Sequence, residues 1–197
     1  MTPFVRHEGA AIALPLDNVD TDAIFPARFG ATIARAGFET AFFADWRGDP
    51  GFALARADAR TATILAVGAN YGCGSSREHA VWAHLQWGIR AVLGVSFADI
   101  FRANALKNGL LPVTLPEAAA RKLLADLAAA PFARIAVDLA ADLVRLPDGT
   151  AHPIPIDPAD RAALLNGWDA IDRTRAFDAD IAAFAARDRQ ARPWAWR

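Results

Sequence analysis

The chain has 197 residues, 54% of them hydrophobic and 22% charged, with a net charge of −1 at pH 7. That length and composition suit one globular domain burying roughly 70% of its unfolded surface, and they exclude a disordered segment. No basic run recommends nucleic acid, the acidic residues are dispersed, and no stretch approaches the ~20 apolar residues of a membrane span.

One cysteine, Cys73, excludes an intramolecular disulfide and cannot by itself supply the thiolates of an iron–sulfur cluster. The four histidines, His7, His79, His84 and His152, lie scattered without zinc-ligand spacing. The start, Met-Thr-Pro-Phe-Val-Arg-His-Glu, lacks the charged-then-apolar pattern of a secretion signal, so a soluble cytoplasmic protein is expected.

In chain order, residues 10–16 form an apolar run that reads as a first strand, ending at the polar turn Asp17-Asn18-Val19-Asp20-Thr21-Asp22. Pro26 and Gly30 punctuate a loop, and residues 38–46 read as a short helix before the break at Pro50 and Gly51. The β-branched, apolar run 61–67 is a buried strand leading into a glycine-rich turn. Residues 77–87 then read as helix, 89–95 as strand, 97–107 as helix with Gly109 at its C-terminal stop, and 110–115 as strand. Strand and helix alternating in this way predict parallel strands joined by right-handed crossovers.

Residues 117–129 are Ala/Leu-rich and helical, while 134–139 and 143–146 read as strands. Asp148-Gly149 signals a hairpin before 152–156. Asp157-Pro158 opens a helix to about residue 165, with a capping Asp and Pro in the first helical position. A last helix covers 178–187, and the tail 192–197 is either frayed or docked on a partner. Neither a repeat nor a linker interrupts the chain, so residues 1–197 are expected to form a single domain. Trp46, Trp82, Trp87, Trp194 and Trp196 are divided between core and partner contact, and sequence does not sort them.

The chemistry concentrates in Gly68-Ala69-Asn70-Tyr71-Gly72-Cys73-Gly74-Ser75-Ser76-Arg77-Glu78-His79. This stretch follows a parallel strand, the edge at which open α/β sheets bind ligands. Its glycines permit sharp turns and close backbone approach, and the next helix presents its positive end. Arg77 adds a planar donor suited to a carboxylate. A bland alternative fits the same letters: Ser75-x-x-Glu78 satisfies the capping-box pattern, and pattern alone favours it. The turn is neither a Walker loop nor a dinucleotide fingerprint, and it lacks Gly-x-Ser-x-Gly.

Residues 72–79 closely resemble the serine-bearing turn of the swivelling domain of the aconitase superfamily. Ser96-Phe97-Ala98-Asp99-Ile100-Phe101, then Asn104 and Gly109-Leu110-Leu111-Pro112, are similar to the same family. So is Asn18-Val19-Asp20-Thr21-Asp22-Ala23-Ile24 with Pro26 after it. The three motifs stand in order, and the likeness runs from about residue 4 to about residue 180. Chain length, Trp46-Arg47 and Asn166-Gly167 resemble the bacterial 3-isopropylmalate dehydratase small-subunit family most.

The resemblance implies a three-layered β/β/α swivelling domain with a parallel centre and antiparallel strands near the ends. It also implies a dehydration and rehydration of a hydroxy dicarboxylate in leucine biosynthesis. Ser75 would be the catalytic base, with Ser76 and Arg77 on the substrate carboxylates. A [4Fe-4S] cluster would be held by a separate large subunit, with no metal bound by this chain.

Asp20, Thr21 and Asp22 are either near the substrate or merely shape a turn, the second being favoured for Asp17. Arg28, Phe29 and Ile33 occupy the loop where related subunits set side-chain preference. Phe29 and Ile33 suit an isopropyl group, whereas Arg28 keeps open a homoaconitase-type substrate with an extra carboxylate. A citraconate-type hydratase subunit and a non-catalytic binding module are the remaining alternatives.

Overall fold

The computed structural model describes residues 1–31 and 36–196. Its sheet is built from β1 (Arg6–Leu14), β2 (Ala62–Val67), β3 (Ala91–Gly94), β4 (Leu111–Thr114), β5 (Arg134–Asp138), β6 (Leu143–Arg145) and β7 (Ala151–Pro153). The order across the sheet is β4-β3-β2-β1-β5-β6-β7. β1 to β4 are mutually parallel, and β1-β5-β6-β7 are antiparallel, as the strand–helix alternation and the Asp148-Gly149 hairpin predict.

β1 starts earlier than the apolar run suggests. Its polar first half, Arg6 to Ala10, pairs antiparallel with β5, and its apolar second half pairs parallel with β2. The half buried on both faces announces itself by hydrophobicity; the half facing solvent does not.

Helices cover both faces of the single sheet, giving three layers in the order helix, sheet, helix. α2 (Glu78–Trp87) and α3 (Asp99–Asn108) lie over one face, and α4 (Glu117–Ala129) and α5 (Pro158–Asn166) over the other. Side-chain alternation sends Ile12, Leu14, Leu65, Val67 and Val92 to the first core and Ala11, Ala13, Ile64, Ala66 and Leu93 to the second. Each fully buried Leu, Ile or Val contributes about 1.5–3 kcal/mol. Asp157 caps α5 with Pro158 in its first turn, and Gly109 closes α3 at φ 86°, both as expected. A short α6 (Ala170–Arg175), started by an Asp169/Asp172 capping box, precedes α7 (Asp178–Ala191), and neither contains a buried residue.

The helix expected over 38–46 does not form. A 3-10 turn at Phe38–Thr40 leads into further turns, and Phe43 adopts φ 49°. A right-handed helix cannot run through a residue at positive φ, and the turn at Phe43 lets both Phe42 and Phe43 enter the core.

Candidate active site

β1 and β2 are parallel neighbours, so the segments leaving their C-terminal ends emerge on the same edge and run on side by side. They are joined by backbone hydrogen bonds: Asn18 N to Ala69 O (2.8 Å), Gly72 N to Val19 O (2.7 Å) and Thr21 N to Cys73 O (2.8 Å). Asn18 and Asn70 take left-handed conformations, and Asn70 Nδ2 donates to Asn18 Oδ1 at 2.8 Å. Gly72 has φ 78°, and a Cβ there would lie 2.3 Å from Phe101 Cγ, so the turn is pressed against α3 where no side chain fits. Asp17 accepts from Ala69 N and from both terminal nitrogens of Arg121, which holds its carboxyl below the usual carboxylate range.

The expected Ser75 capping box is absent. α2 begins at Glu78 with Arg77 as its extended N-cap residue, too late in the chain for Ser75 to reach its first N–H groups. Glu78 instead accepts from Asn108 Nδ2 at 2.7 Å. Ser75 and Ser76 are exposed, and the Ser75 carbonyl accepts a 2.8 Å hydrogen bond from the hydroxyl of buried Thr21. Arg77 donates through Nη1 to the Asp22 carboxylate and, at 3.4 Å, to Phe25 O. Asp20 caps the short α1 (Thr21–Ile24), its Oδ1 accepting from Ala23 N at 2.7 Å.

Asp20, Thr21, Asp22, Ser75, Ser76 and Arg77 are therefore brought together from two segments some 50 positions apart. Each carboxylate has a definable task here: Asp20 serves its own backbone, and Asp22 orients the arginine.

Behind the turn, the Tyr71 hydroxyl lies 2.8 Å from His84 Nε2, and His84 Nδ1 lies 2.7 Å from Ala80 O. A carbonyl only accepts, so Nδ1 carries the proton and Tyr71 donates to Nε2. Both side chains are fully buried; burial pulls the histidine pKa down to about 4 and pushes the tyrosine well above its ordinary value. His79 packs among aromatic rings, stacked on Phe25 at 5.3 Å.

Arg28 is engaged by Asp45 through both terminal nitrogens, one at 2.9 Å, and its guanidinium sits 4.6 Å from the Phe29 ring centroid. Phe29 is half-buried and meets Phe25 edge-on, which connects this loop to the Arg77 contact. Ile33 lies outside the described residues. Sequence reasoning missed Asp45, whose pairing spans 17 positions without a motif, and the Tyr71–His84 pair, which reads as ordinary core.

Among the described residues, no group of three or more His, Cys, Asp or Glu side chains could hold a metal ion. Cys73 is half-buried, and one thiolate does not fit an iron–sulfur cluster, which takes several.

This fold and turn define the class. The family model described as the aconitase C-terminal domain matches residues 1–118. A 3-isopropylmalate dehydratase small subunit from Rhodospirillum centenum is 46% identical over 99% of both chains. One from Anaeromyxobacter dehalogenans is 49% identical over 93% of this chain and 97% of its own. The crystal structure of 3-isopropylmalate dehydratase from Methanocaldococcus jannaschii superposes with a TM-score of 0.66 at 24% identity, covering 91% of this chain and 99% of that one, a likeness of fold. The chain belongs to the 3-isopropylmalate dehydratase small-subunit family of the aconitase superfamily.

Proposed function

We propose that this chain is the small subunit of a 3-isopropylmalate dehydratase, a hydro-lyase active in complex with a large subunit, which isomerises 2-isopropylmalate to 3-isopropylmalate in leucine biosynthesis. The observation that carries the site assignment is an exposed serine, released from helix capping, whose backbone is anchored by Thr21 beside an Asp22-oriented Arg77.

Ser75 is the base in this reading. Its alkoxide takes the proton from the carbon alpha to a carboxylate, and the hydroxyl leaves from the neighbouring carbon to give an unsaturated dicarboxylate. Readdition with the opposite orientation, the proton returning from Ser75, gives the isomer. An alcohol is a weak acid, so its deprotonated form needs nearby positive charge, which the guanidinium of Arg77 supplies in this reading. Arg77, whose bond to Asp22 uses Nη1, also binds a substrate carboxylate through its remaining N–H groups, assisted by the Ser76 hydroxyl. Departure of hydroxide requires a Lewis acid, which this reading assigns to a [4Fe-4S] cluster on the large subunit.

Phe29 gives the substrate side chain an apolar wall, and Arg28, already committed to Asp45 through both terminal nitrogens, offers little to an additional carboxylate. That pairing supports an isopropyl side chain over a homoaconitase-type one. No helix among the described residues is long and apolar enough to cross a membrane, and a cytoplasmic location, with one domain over residues 1–197, completes the proposal.

The test is Ser75→Ala assayed with a cluster-loaded large subunit, following absorbance of the unsaturated intermediate. Turnover should fall roughly 10²–10⁴-fold while complex formation is unchanged. Activity surviving within a few-fold would remove Ser75 from the chemistry.

A further inference from the structure

α7 is a helix of 14 residues in which nothing is buried, and α6 before it buries nothing either. Helices of that length are marginal in water, and those in proteins are held by packing an apolar face. α7 has such a face. Phe177, just ahead of the helix, Ile181 and Phe184 follow one another at spacings of four and three, so they project from one side, and their exposures are 60%, 47% and 54%.

The next position on that side is Asp188, and it is covered. Its carboxylate accepts from Arg192 Nε at 2.7 Å and from Trp196 Nε1 at 2.8 Å, which folds the tail back and lays an indole over the end of the stripe. Trp194, beside it, is 68% exposed. Taking about 200 Å² for a full aromatic side chain, Phe177, Phe184, Trp194 and Trp196 present roughly 450 Å² of apolar surface. That is more than half of what one partner contributes to a standard interface.

The place where the tail leaves the body points to the occupant of this surface. A hollow of about 360 Å³ at the root of the tail is lined by Trp168 and Arg173 on one side and by Glu78 and Lys107 on the other. Glu78 is the first residue of α2 and directly follows Arg77, so the root of the tail shares a hollow with the start of the helix into which the Ser75 turn leads.

We propose that the apolar face of α7, extended by Trp196, docks into an apolar groove of the large subunit and is the principal anchor of the complex. This rests on the small-subunit reading. The tail supplies affinity, and the Ser75 turn, touching the same partner nearby, supplies chemistry.

The experiment compares the unaltered full-length chain with an I181D/F184D variant, titrating each against the purified large subunit by calorimetry and by recovered activity. Free chains are compared by circular dichroism, thermal unfolding and light scattering. The variant should bind roughly 30-fold or more weakly, recover unaltered kcat at saturating large subunit, and unfold at the same temperature as the parent. Unchanged affinity overturns the proposal. So does a parent chain that is a dimer through this face, with the variant monomeric and still binding the large subunit normally, since a second copy is then the occupant. No binding by the unaltered chain overturns the small-subunit reading itself, and this one with it.

Discussion

Acidification loads the one fully buried histidine. His84 has its Nδ1 proton on Ala80 O and accepts from Tyr71 at Nε2, so a second proton would reverse that bond, deprive the buried tyrosine proton of this acceptor and place a charge among Phe42, Tyr71 and Phe101. Burial accordingly moves its pKa from 6.5 to about 4. Between those values the unfolded chain binds a proton that the folded chain refuses. Stability is therefore complete above about pH 6.5 and falls as pH drops towards 4, by roughly 3 kcal/mol at about 1.4 kcal/mol per unit. Half-buried His7, whose pKa is also lowered by burial, adds to the slope in the same direction. The assay is urea unfolding at several values between about pH 8 and pH 4.5, on the parent and on His84→Gln, which puts a non-titrating amide in place of the imidazole. The variant should be less stable at pH 8 yet lose roughly 3 kcal/mol less on acidification. Parallel curves for the two proteins would refute the reasoning.

Two substitutions test how the turn is held. Thr21→Val removes the hydroxyl that donates to Ser75 O; because Ser75 is exposed, water can replace it, and stability should fall by only about 1 kcal/mol. Turnover of the reconstituted enzyme should nevertheless fall about 10–100-fold at little-changed KM, with Thr21→Ser restoring it; a stability loss without a kcat effect would show that Thr21 merely packs. Gly72→Ala drives a Cβ into Phe101 at a positive φ, a combined cost of about 2–4 kcal/mol, so the melting temperature should drop by roughly 5–15 °C. A melt within about 2 °C of the parent would mean that the turn yields easily.

The parallel centre of the sheet was legible because β2, β3 and β4 are buried on both faces and so carry near-continuous apolar runs. Caps and stops written in single residues, Asp157, Pro158 and Gly109, were equally plain. What stayed hidden depends on partners distant in sequence. Ser75 and Glu78 satisfy a capping pattern, yet the helix starts later because the chain ahead of it is bonded sideways to residues 18–22 instead of turning into the helix. Thr21 looks like any turn residue until β1 and β2 are known to be neighbours, and Asp45 looks like any surface acid until it is found on Arg28.

On the proposed reading, the same arrangement explains how half of an active site can be kept ready without the other half. The left-handed conformations at Asn18 and Asn70 are unfavourable to assemble on demand, and Gly72 and Gly74 lose much conformational freedom when fixed. Here they are held by contacts within the chain: the Val19–Gly72 and Thr21–Cys73 backbone bonds, the Thr21 hydroxyl on Ser75, and Asp22 on Arg77. None of these uses the Ser75 hydroxyl, which stays available to substrate. Folding of this chain therefore fixes the turn, and with Ser75 as the proposed base, docking of the large subunit need only bring it to the substrate. Substitutions at Thr21 or Gly72 should then alter kcat in the assembled complex without changing the affinity between subunits, whereas those on α7 should do the reverse.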